Sequence, residues 1–282
     1  MLEVKNLTIE DVEGQCLVED ISFHINKEDF VVLFGDDADA RKELIHCIMG
    51  YKRYYSGEVC FGEEAGCVRY LPDDILYEES MTAADYFRMV SSRFENYNIN
   101  KQEQLCEKLG IDKNEELLEM TFEDNKLVQF IAMVCSEPDV IIVDELHSYI
   151  TAKTMKMLFK YLKKTNELGT TIIYSCTDYE TVKSVCNRFI MLDEGKVVAD
   201  RVVDGNDVRK RIITLPGGRS ETLESIFGEY IATRNNRSSY VCNQPLDKVP
   251  VILYKIGSKD YLIEEMTLAE ELTNDYSRWE EL

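Results

Sequence analysis

Along the first 200 residues, apolar and polar positions follow patterns that predict strands and helices in turn. Residues 2–10 and 15–25 carry the pattern of two β-strands. The apolar run DFVVLFG, at 29–35, ends in glycine, as a strand buried on both faces does. Apolar residues then recur at helical spacing over 40–49, so the sequence predicts a buried strand, a short loop and a helix.

The same pattern continues to about residue 200. The predicted elements are strands in SGEVCFG and CVRYLP, a helical stretch over about 82–126, a strand at 140–145, a helix over 151–168, a strand at 170–176, another helix, and strands within 189–200. Strands that alternate with helices indicate an α/β fold, in which a mainly parallel sheet is covered on both faces.

The pattern changes after Asp204, which places a domain boundary between 1–204 and 205–282. The second part is expected to be a small α+β extension. Its predicted strands lie in RIITLP, GEYIAT, SSYVC and VPVILYKIGSKDYLIEE, and its predicted helices in TLESIF and TLAEELTNDYSRWEEL.

Charge and cysteine content narrow the class of protein. The net charge is −21, from 53 acidic and 32 basic residues, so nucleic acid and anionic lipid would be repelled as direct partners. Nine cysteines without a CxxC pair argue against a complete disulfide framework and favour reduced thiols. The first residues, MLEVKNLTIED, lack the pattern of a signal peptide, which predicts a cytoplasmic protein.

The loop GDDADARKE, at 35–43, stands where a phosphate-binding loop would lie, between a buried strand and a helix. By itself it fits an altered phosphate loop, an acidic turn or a poor metal site. A calcium loop is disfavoured, because the aspartates lack the D-x-D-x-D-G spacing and the terminal bidentate glutamate.

Four neighbouring segments, in order, resemble the nucleotide-binding subunit of an ATP-binding-cassette (ABC) transporter. They are MLEVKNLT, LPDDILYEESMT, SEPDVIIVDE and SCTDYETVKSVCNRFIMLDEGKVVAD. The resemblance covers about 70% of the chain, from the first strand to beyond the switch-histidine position. It implies a P-loop NTPase-like ABC fold with a mainly parallel core sheet, antiparallel N-terminal strands and a helical subdomain over about 82–126.

Most positions of the family's phosphate loop, G-x-x-x-x-G-K-[ST], are altered. Gly35 keeps the first glycine, whereas Ala40 stands at the second, Arg41 at the lysine, Lys42 at the serine or threonine, and Glu43 follows. A carboxylate about 4 Å from a phosphate oxygen costs on the order of 4 kcal/mol at an effective dielectric of 20, so the acidic loop disfavours ATP. Arg41 is expected either to bind phosphate or to pair with the loop's own aspartates.

The other site positions are divided between loss and retention. Asp73 stands at the glutamine of the glutamine loop, residues 120–124 (MTFED) at the LSGGQ signature, and Thr177 at the switch histidine. Asp144 and Glu145 keep the family's pattern, in which they orient Mg²⁺ and polarise the attacking water. The alternative is that these two carboxylates end a buried strand and bond to the loop, Arg41 or Lys42.

Two histidines are candidates for a replacement of the switch histidine or for a ligand. His46 lies on the helix after the loop, where a histidine is more often a hydrogen-bonded polar residue than a ligand. His147 follows the aspartate by three residues and lies in the wrong loop for a displaced switch histidine.

The resemblance therefore implies a degenerate ABC subunit, a pseudo-ATPase for which ATP and Mg²⁺ are doubtful cofactors. Its expected partners are ABC transporter membrane subunits at the inner face of the cell membrane and a second ABC subunit, in a homo- or heterodimer. MTLAEELTNDY loosely resembles the extension of bacterial ABC-2 type exporter subunits. Two alternatives stay open: a working ATPase with Arg41 or Lys42 on phosphate and Glu145 as base, and a soluble scaffold without a membrane partner.

Overall fold

The computed structural model describes residues 1–52, 55–72, 79–146, 150–177, 179–203 and 210–280. The chain divides into two compact units, Met1–Val203 and Asp204–Leu282. Among the described helices, none is both long and apolar enough to cross a membrane.

The first unit is built on two sheets. Its strands are β1 (Leu2–Glu10), β2 (Cys16–Ile25), β3 (Phe30–Phe34), β4 (Tyr55–Phe61), β5 (Val68–Leu71), β6 (Val140–Asp144), β7 (Thr171–Cys176), β8 (Arg188–Asp193) and β9 (Lys196–Val202). The central sheet has the order β5-β6-β7-β3-β8-β9, in which only the last pair, β8 and β9, is antiparallel. The α/β fold with a mainly parallel core is therefore confirmed.

The second sheet, β2-β1-β4, is antiparallel and covers one side of the core. Its inward residues, among them Val4, Leu7 and Ile21, form one cluster with Leu44 of the first helix and Ile190 of the central sheet. Buried and exposed residues alternate over most of β1 and β2, with interruptions where the register shifts, and this explains why the sequence predicted both strands correctly.

The described residues of the first unit form five α-helices: α1 (Ala38–Ile48), α2 (Ala83–Ser91), α3 (Ile99–Leu109), α4 (Phe122–Cys135) and α5 (Ala152–Glu167). Helix α2 begins at a reciprocal capping box between Thr82 and Asp85, and α3 ends at Gly110 in the left-handed conformation. The helical stretch predicted over 82–126 contains α2, α3 and the start of α4. Helix α4 continues beyond the end of this stretch, to Cys135.

The helix predicted between β7 and β8 was wrong for the described residues. Between Cys176 and Arg188 the structure has a 3₁₀ turn over Tyr179–Thr181, followed by turns. Val182 and Cys186 are buried. Four backbone hydrogen bonds join these turns, two of them over three residues and two over four. The segment therefore has helical spacing over too short a length to continue a regular helix.

The second unit has a four-stranded antiparallel sheet in the order β11-β12-β10-β13. Its elements are β10 (Arg211–Pro216), α6 (Glu221–Phe227), β11 (Tyr230–Arg234), β12 (Arg237–Cys242), α7 (Val249–Lys255), β13 (Leu262–Glu265), α8 (Leu268–Thr273) and α9 (Ser277–Glu280). Apolar residues pack on both faces: Ile213 belongs to the cluster that contains residues of α6 and α7, and Ile212 to the cluster that contains Trp279 of α9.

A strand was predicted at the start of VPVILYKIGSKDYLIEE, and this prediction was wrong. Residues Val249–Lys255 form α7, whose first turn contains Pro250. Val249 and Leu253 are buried in the same cluster, so the i, i+4 spacing outweighs the strand preference of the β-branched residues. The strand β13 forms only at Leu262–Glu265.

Candidate nucleotide site

The predicted site residues lie at one edge of the central sheet. They belong to the loop after β3 and to the ends of β6 and β7. Strand β7 lies between β3 and β6, and the register pairs Phe34 with Cys176 and Asp144 with Ser175. The residues that follow the three strands therefore emerge side by side. This carboxyl edge is where open α/β sheets bind their ligands.

Gly35 is required by the packing of the fold itself. Its φ is +151°, and a Cβ atom built on it would lie 1.9 Å from the backbone carbonyl oxygen of Leu192 in β8. Any side chain would collide with that backbone. The first glycine of the motif is thus needed whether or not a nucleotide binds.

The loop after Gly35 is short, because α1 begins at Ala38. Asp37 is its N-cap, and the Asp37 Oδ1 atom accepts a hydrogen bond of 2.9 Å from the Ala40 backbone N–H. The Arg41 N–H donates to the Asp37 carbonyl at 3.3 Å. A side-chain carboxylate of the chain thus satisfies the helix N-terminus, a place that favours anions.

Ala40 is fully buried and adopts a helical conformation, since it lies inside α1 and does not have a positive φ. Alanine therefore adopts the backbone conformation at this position without strain. The loop avoids the glycine-dependent conformation because it turns into a helix early.

The Arg41 side chain is only 1% exposed, and its guanidinium forms hydrogen bonds with four groups of the protein. The guanidinium donates to the Gly35 carbonyl and pairs with Glu145 Oε1. It also donates to Thr177 Oγ1 at 3.0 Å and to Ser175 Oγ at 3.4 Å. Thr177 Oγ1 in turn donates to Glu145 Oε1 at 3.0 Å, which closes a network across all three strand ends.

These contacts are called the Arg41 network below. The described cation partner of Glu145 is Arg41, as one alternative held, whereas the expected pairing of Arg41 with the loop's own aspartates was wrong. Asp36, Asp37 and Asp39 are all exposed.

Ser175 was missed by sequence reasoning. It is fully buried and lies two residues before the switch position. The only signal in the sequence was a hydroxyl inside the apolar strand TIIYSC. A buried hydroxyl needs a hydrogen-bond partner, and in the folded chain Arg41 supplies one.

Lys42 and Glu43 point to different environments. Glu43 forms an ion pair of 2.6 Å with Lys52 and lies 3.9 Å from His46 Nδ1. This separation is too long for a hydrogen bond, so the expectation of a hydrogen-bonded His46 stays a prediction. Lys42 is partly buried and has no ion pair within the described parts of the chain.

Asp144 is 2% exposed at the end of β6, where the hydroxyl of Tyr70 donates to its Oδ2 atom at 3.5 Å. Glu145 follows with a positive φ of 42°, and its backbone N–H donates to the Ser175 carbonyl at 3.3 Å. The strained backbone turns the Glu145 side chain toward the Arg41 network. In the described residues no group of three or more histidine, cysteine or acidic side chains could hold a metal ion.

The signature position lies at the N-terminus of α4. Thr121 is the N-cap and accepts a hydrogen bond of 3.1 Å from the Asp124 backbone N–H, while its own hydroxyl donates to Asp124 Oδ2 at 2.7 Å. Glu123 accepts a hydrogen bond of 3.1 Å from the Thr151 hydroxyl at the start of α5. This helix end, like that of α1, is occupied by the chain's own polar groups.

Two predicted site residues lie outside the described residues: Asp73, at the glutamine position, and His147. The structure thus brings Gly35, Arg41, Glu145 and Thr177 into direct contact, and places Asp144 beside them on β6. Lys42, Glu43 and the signature residues have no described contact with that network.

These residues do not fit ATP with Mg²⁺ in the family's manner. The cation at the lysine position is engaged by a carboxylate, the loop's helix end is capped by Asp37, and exposed aspartates surround it. The arrangement can neutralise its own charges, and it leaves little for a polyanion to bind.

Comparisons with known proteins agree with this architecture. No model of a known protein family matches the sequence. The chain is 26% identical over 202 residues to an uncharacterized ABC transporter ATP-binding protein of Methanocaldococcus jannaschii, a match that spans 70% of this chain and 76% of that protein. It is 23% identical over 226 residues to the methionine import ATP-binding protein MetN of Clostridium acetobutylicum, spanning 70% and 67%. The chain spans less than half of an uncharacterized ABC transporter ATP-binding protein of Escherichia coli, 45%, at 24% identity.

Solved structures give the fold. The structure of an ATP-binding subunit of an ABC transporter superposes with a TM-score of 0.65 at 20% identity, over 73% of this chain and 91% of that one. The chain has the fold of an ABC ATPase domain. An ATP-binding cassette solved as a dimer with ADP and Pi bound has a TM-score of 0.62 at 16% identity, over 72% of this chain and 98% of that one. The ABC fold was therefore predicted correctly from the ordered motifs.

Proposed function

We propose that this chain is an ATP-binding subunit of an ABC transporter whose own nucleotide site is degenerate, so that it acts as a pseudo-ATPase. The observation that carries the proposal is the Arg41 network. The residue at the lysine position of the phosphate loop is buried and paired with Glu145, the residue at the catalytic position. The names of the similar proteins, which include ABC transporter ATP-binding proteins, support the transporter part.

Recruiting Arg41 to a phosphate would require breaking its pair with Glu145. Two unit charges about 4 Å apart interact by about 4 kcal/mol at an effective dielectric of 20, which corresponds to about three decades of affinity. Separation would also leave Glu145, whose side chain is only 18% exposed, without its cation. Phosphate binding and the internal pair therefore compete for one guanidinium.

Hydrolysis is impaired at the catalytic position as well. Glu145 accepts hydrogen bonds from Arg41 and Thr177, so its Oε1 atom is engaged where a general base would need to face water. Thr177, at the position of the switch histidine, has a hydroxyl and no titrating group at neutral pH. Site degeneracy is thus consistent across the three strand ends.

The contribution that this chain would make to a partner's site is altered in the same way. At α4 the capping Thr121 and the acidic Glu123 and Asp124 replace a glycine-containing signature. In a pair of ABC subunits, both composite sites would then be weakened. Solved dimers of similar cassettes support pairing with a second ABC subunit, in a homo- or heterodimer.

The proposed setting is the inner face of the cell membrane, where the subunit would dock to membrane subunits of an exporter. The apolar strands of the fold are kept, and so is the helical stretch that the family uses for docking. That retention supports a docking role. The exporter assignment rests on the loose ABC-2 type resemblance of MTLAEELTNDY, residues 266–276, a segment that contains α8.

The decisive experiment is a calorimetric titration of the full chain with ATP in the presence of Mg²⁺. We expect no saturable binding below about 1 mM. A triple variant, Ala40→Gly with Arg41→Lys and Lys42→Thr, restores the family's residues and frees Glu145 from the guanidinium. It should bind at least about tenfold more tightly, if the Arg41 network is what excludes the phosphates.

The opposite result would support the alternative of a working ATPase. Micromolar binding by the unaltered chain, lost in Arg41→Ala and accompanied by turnover that Glu145→Gln abolishes, overturns the pseudo-ATPase. This alternative is favoured by the state of Lys42, which has no ion pair in the described residues. Loss of binding in Lys42→Ala alone would assign the phosphate contact to that lysine.

Membrane docking is tested separately by co-expression with a multispanning membrane protein encoded beside this chain. We expect the two to purify together in detergent. If the chain purifies without the membrane protein for every such candidate, the soluble scaffold is favoured. The conclusion on ATP is unaffected by that result.

A further inference from the structure

Helix α5 differs from the rest of the chain in charge. It carries five exposed lysines in a protein whose net charge is −21. They are Lys153, Lys156, Lys160, Lys163 and Lys164. In the described parts of the chain no carboxylate lies within 4 Å of their Nζ atoms, although acidic residues outnumber basic ones by 53 to 32.

The lysines recur at intervals of three and four, so they lie along one side of the helix. From the first to the last the stripe is about 16 Å long, at a rise of 1.5 Å per residue. The opposite side of α5 is buried through Met155, Leu158, Phe159 and Leu162. The positive charge is therefore displayed outward along three turns.

A groove runs beside this stripe, between α5 and the turns that follow β7. Its volume is about 580 Å³, and apolar side chains form most of its lining: Ile150, Ala152, Met155, Phe159 and Val185. Lys156 and Lys160 stand at its rim. An apolar floor beside a row of cations fits a ligand that has an apolar face and a negative edge.

We propose that this groove and its lysine stripe are a docking surface for an acidic amphipathic helix of a partner protein. Its apolar residues would lie in the groove, and its carboxylates, spaced by three and four, would meet the lysines. A complementary helix of about 11 residues matches the length of the stripe. Lys153 to Lys164 then acquire the carboxylate partners that this chain does not supply.

Charge on the whole molecule favours a protein segment over the other polyanions. A membrane surface or a nucleic acid presents extended negative charge, which the net charge of −21 repels. A short helix approaches only the α5 face, where the charge is locally positive. The surface involves neither the nucleotide edge nor the Arg41 network, so it does not depend on the proposed function.

The test uses a fluorescein-labelled helical peptide of about 14 residues, with leucine and phenylalanine on one face and glutamate at i, i+3 and i+7 on its flank. Fluorescence anisotropy with the full chain should show saturable binding that weakens as salt rises. Two peptides of matched length serve as comparisons: one with glutamine for every glutamate, and one with the same composition in scrambled order. Both should bind at least about tenfold more weakly.

Protein variants locate the surface. Lys156→Glu with Lys160→Glu should weaken binding by at least about tenfold, and Val185→Asp, which places a carboxylate in the groove, should do the same. Lys259→Glu is the matched control, because this exposed lysine lies in the second unit, and it should leave binding unchanged. Thermal unfolding midpoints close to that of the unaltered chain show that the charge variants are folded.

Equal binding of the glutamine peptide, or full binding by the Lys156→Glu/Lys160→Glu variant, overturns the proposal. Vesicles of phosphatidylcholine with phosphatidylserine and a duplex DNA are titrated in parallel. Binding of either in place of the acidic peptide would assign the lysines to that surface instead and equally overturn the protein-segment proposal.

Discussion

The interior of the central sheet is apolar, whereas its carboxyl edge is charged and polar. Strands β3, β6 and β7 form this part of the interior, and the residues beyond their ends form the edge. Every residue of the three strands is buried, and most are valine, isoleucine, leucine or phenylalanine. The residues after them are charged or polar and contact one another: Arg41 on α1, Glu145 after β6 and Thr177 after β7. The strands keep the apolar core of an ABC fold, whereas at the edge the polar groups bind one another.

The difference shows which part of the fold depends on a ligand. Burial of one large apolar side chain contributes about 1.5–3 kcal/mol without any partner from outside. An edge built to hold phosphates needs cations, and without phosphates those cations would be buried and unpaired. Here Glu145 supplies to Arg41 the negative charge that a nucleotide would otherwise supply.

The largest effect is expected in the strands. Ile173→Ala in β7 removes a fully buried side chain from the cluster between the sheets and should lower the free energy of unfolding by about 2–5 kcal/mol. Urea denaturation measures the change. Val198→Ala in β9, where the side chain is 45% exposed, is the control and should change stability by less than about 0.5 kcal/mol. Equal effects of the two would contradict the view that the core carries the fold.

The second effect concerns the Arg41 network. Arg41→Met leaves Glu145 without its cation and should lower the free energy of unfolding by about 1–3 kcal/mol. Glu145→Met in the same chain should restore much of the loss, because no buried charge is then unpaired. A double-mutant cycle by urea denaturation measures the coupling. Strict additivity would show that the pair contributes nothing to the folded state.

A smaller effect is expected at the N-terminus of α1. Asp37→Ala removes the cap and should cost about 1 kcal/mol. The vacated helix end should then attract anions, so sulfate should stabilise Asp37→Ala more than it stabilises Asp36→Ala at the same concentration. Asp36 is the matched control, since it is exposed, adjacent and equal in charge. The same response of both variants to sulfate would mean that Asp37 does not occupy an anion site.

The smallest effect is a dependence of the unfolding free energy on pH, which arises from a cysteine in the buried helix α4. Burial raises the pKa of the Cys135 thiol from about 9 to about 12, because the charged thiolate loses its hydration. The folded state therefore keeps this proton over a pH range in which the unfolded state releases it. The stabilisation is complete below about pH 9 and is lost as pH rises toward 12.

Measurement of unfolding free energy in urea from pH 8 to 10.5, under reducing conditions, checks this sign. The fall in stability with pH should be shallower in Cys135→Ala than in the unaltered chain. Val134→Ala is the control, because it removes volume from the same buried helix and no titrating group. A slope in Cys135→Ala as steep as in Val134→Ala would exclude linkage to the thiol.

Sequence pattern was most informative where one periodicity persisted over several residues. Strands β1 and β2 alternate over most of their length, and α1 keeps helical spacing, both as predicted. It failed over 177–188, where the segment is too short for a regular helix, and at α7. There a valine-rich run is helical because the second unit's core takes up Val249 and Leu253.

The site was only partly predictable. The order of motifs placed Gly35, Asp144, Glu145 and Thr177 at one sheet edge, since parallel strands end at the same edge. The partner of Arg41 could not be read from the chain, because Glu145 lies 104 residues away and the nearby aspartates were equally charged. The burial of the guanidinium excluded those aspartates, which remain exposed.

By itself the sequence determined the class of fold, and it predicted which residues lie together at the carboxyl edge of the central sheet. Local periodicity and residue identity are sufficient for these conclusions, because they depend on burial and on which side chains exist. The tertiary structure decided how the remaining charges are paired: Arg41 with Glu145 inside, and the lysines of α5 with no carboxylate of the described chain. Pairing depends on distance and dielectric between residues far apart in sequence, and these are set only when the strands pack side by side.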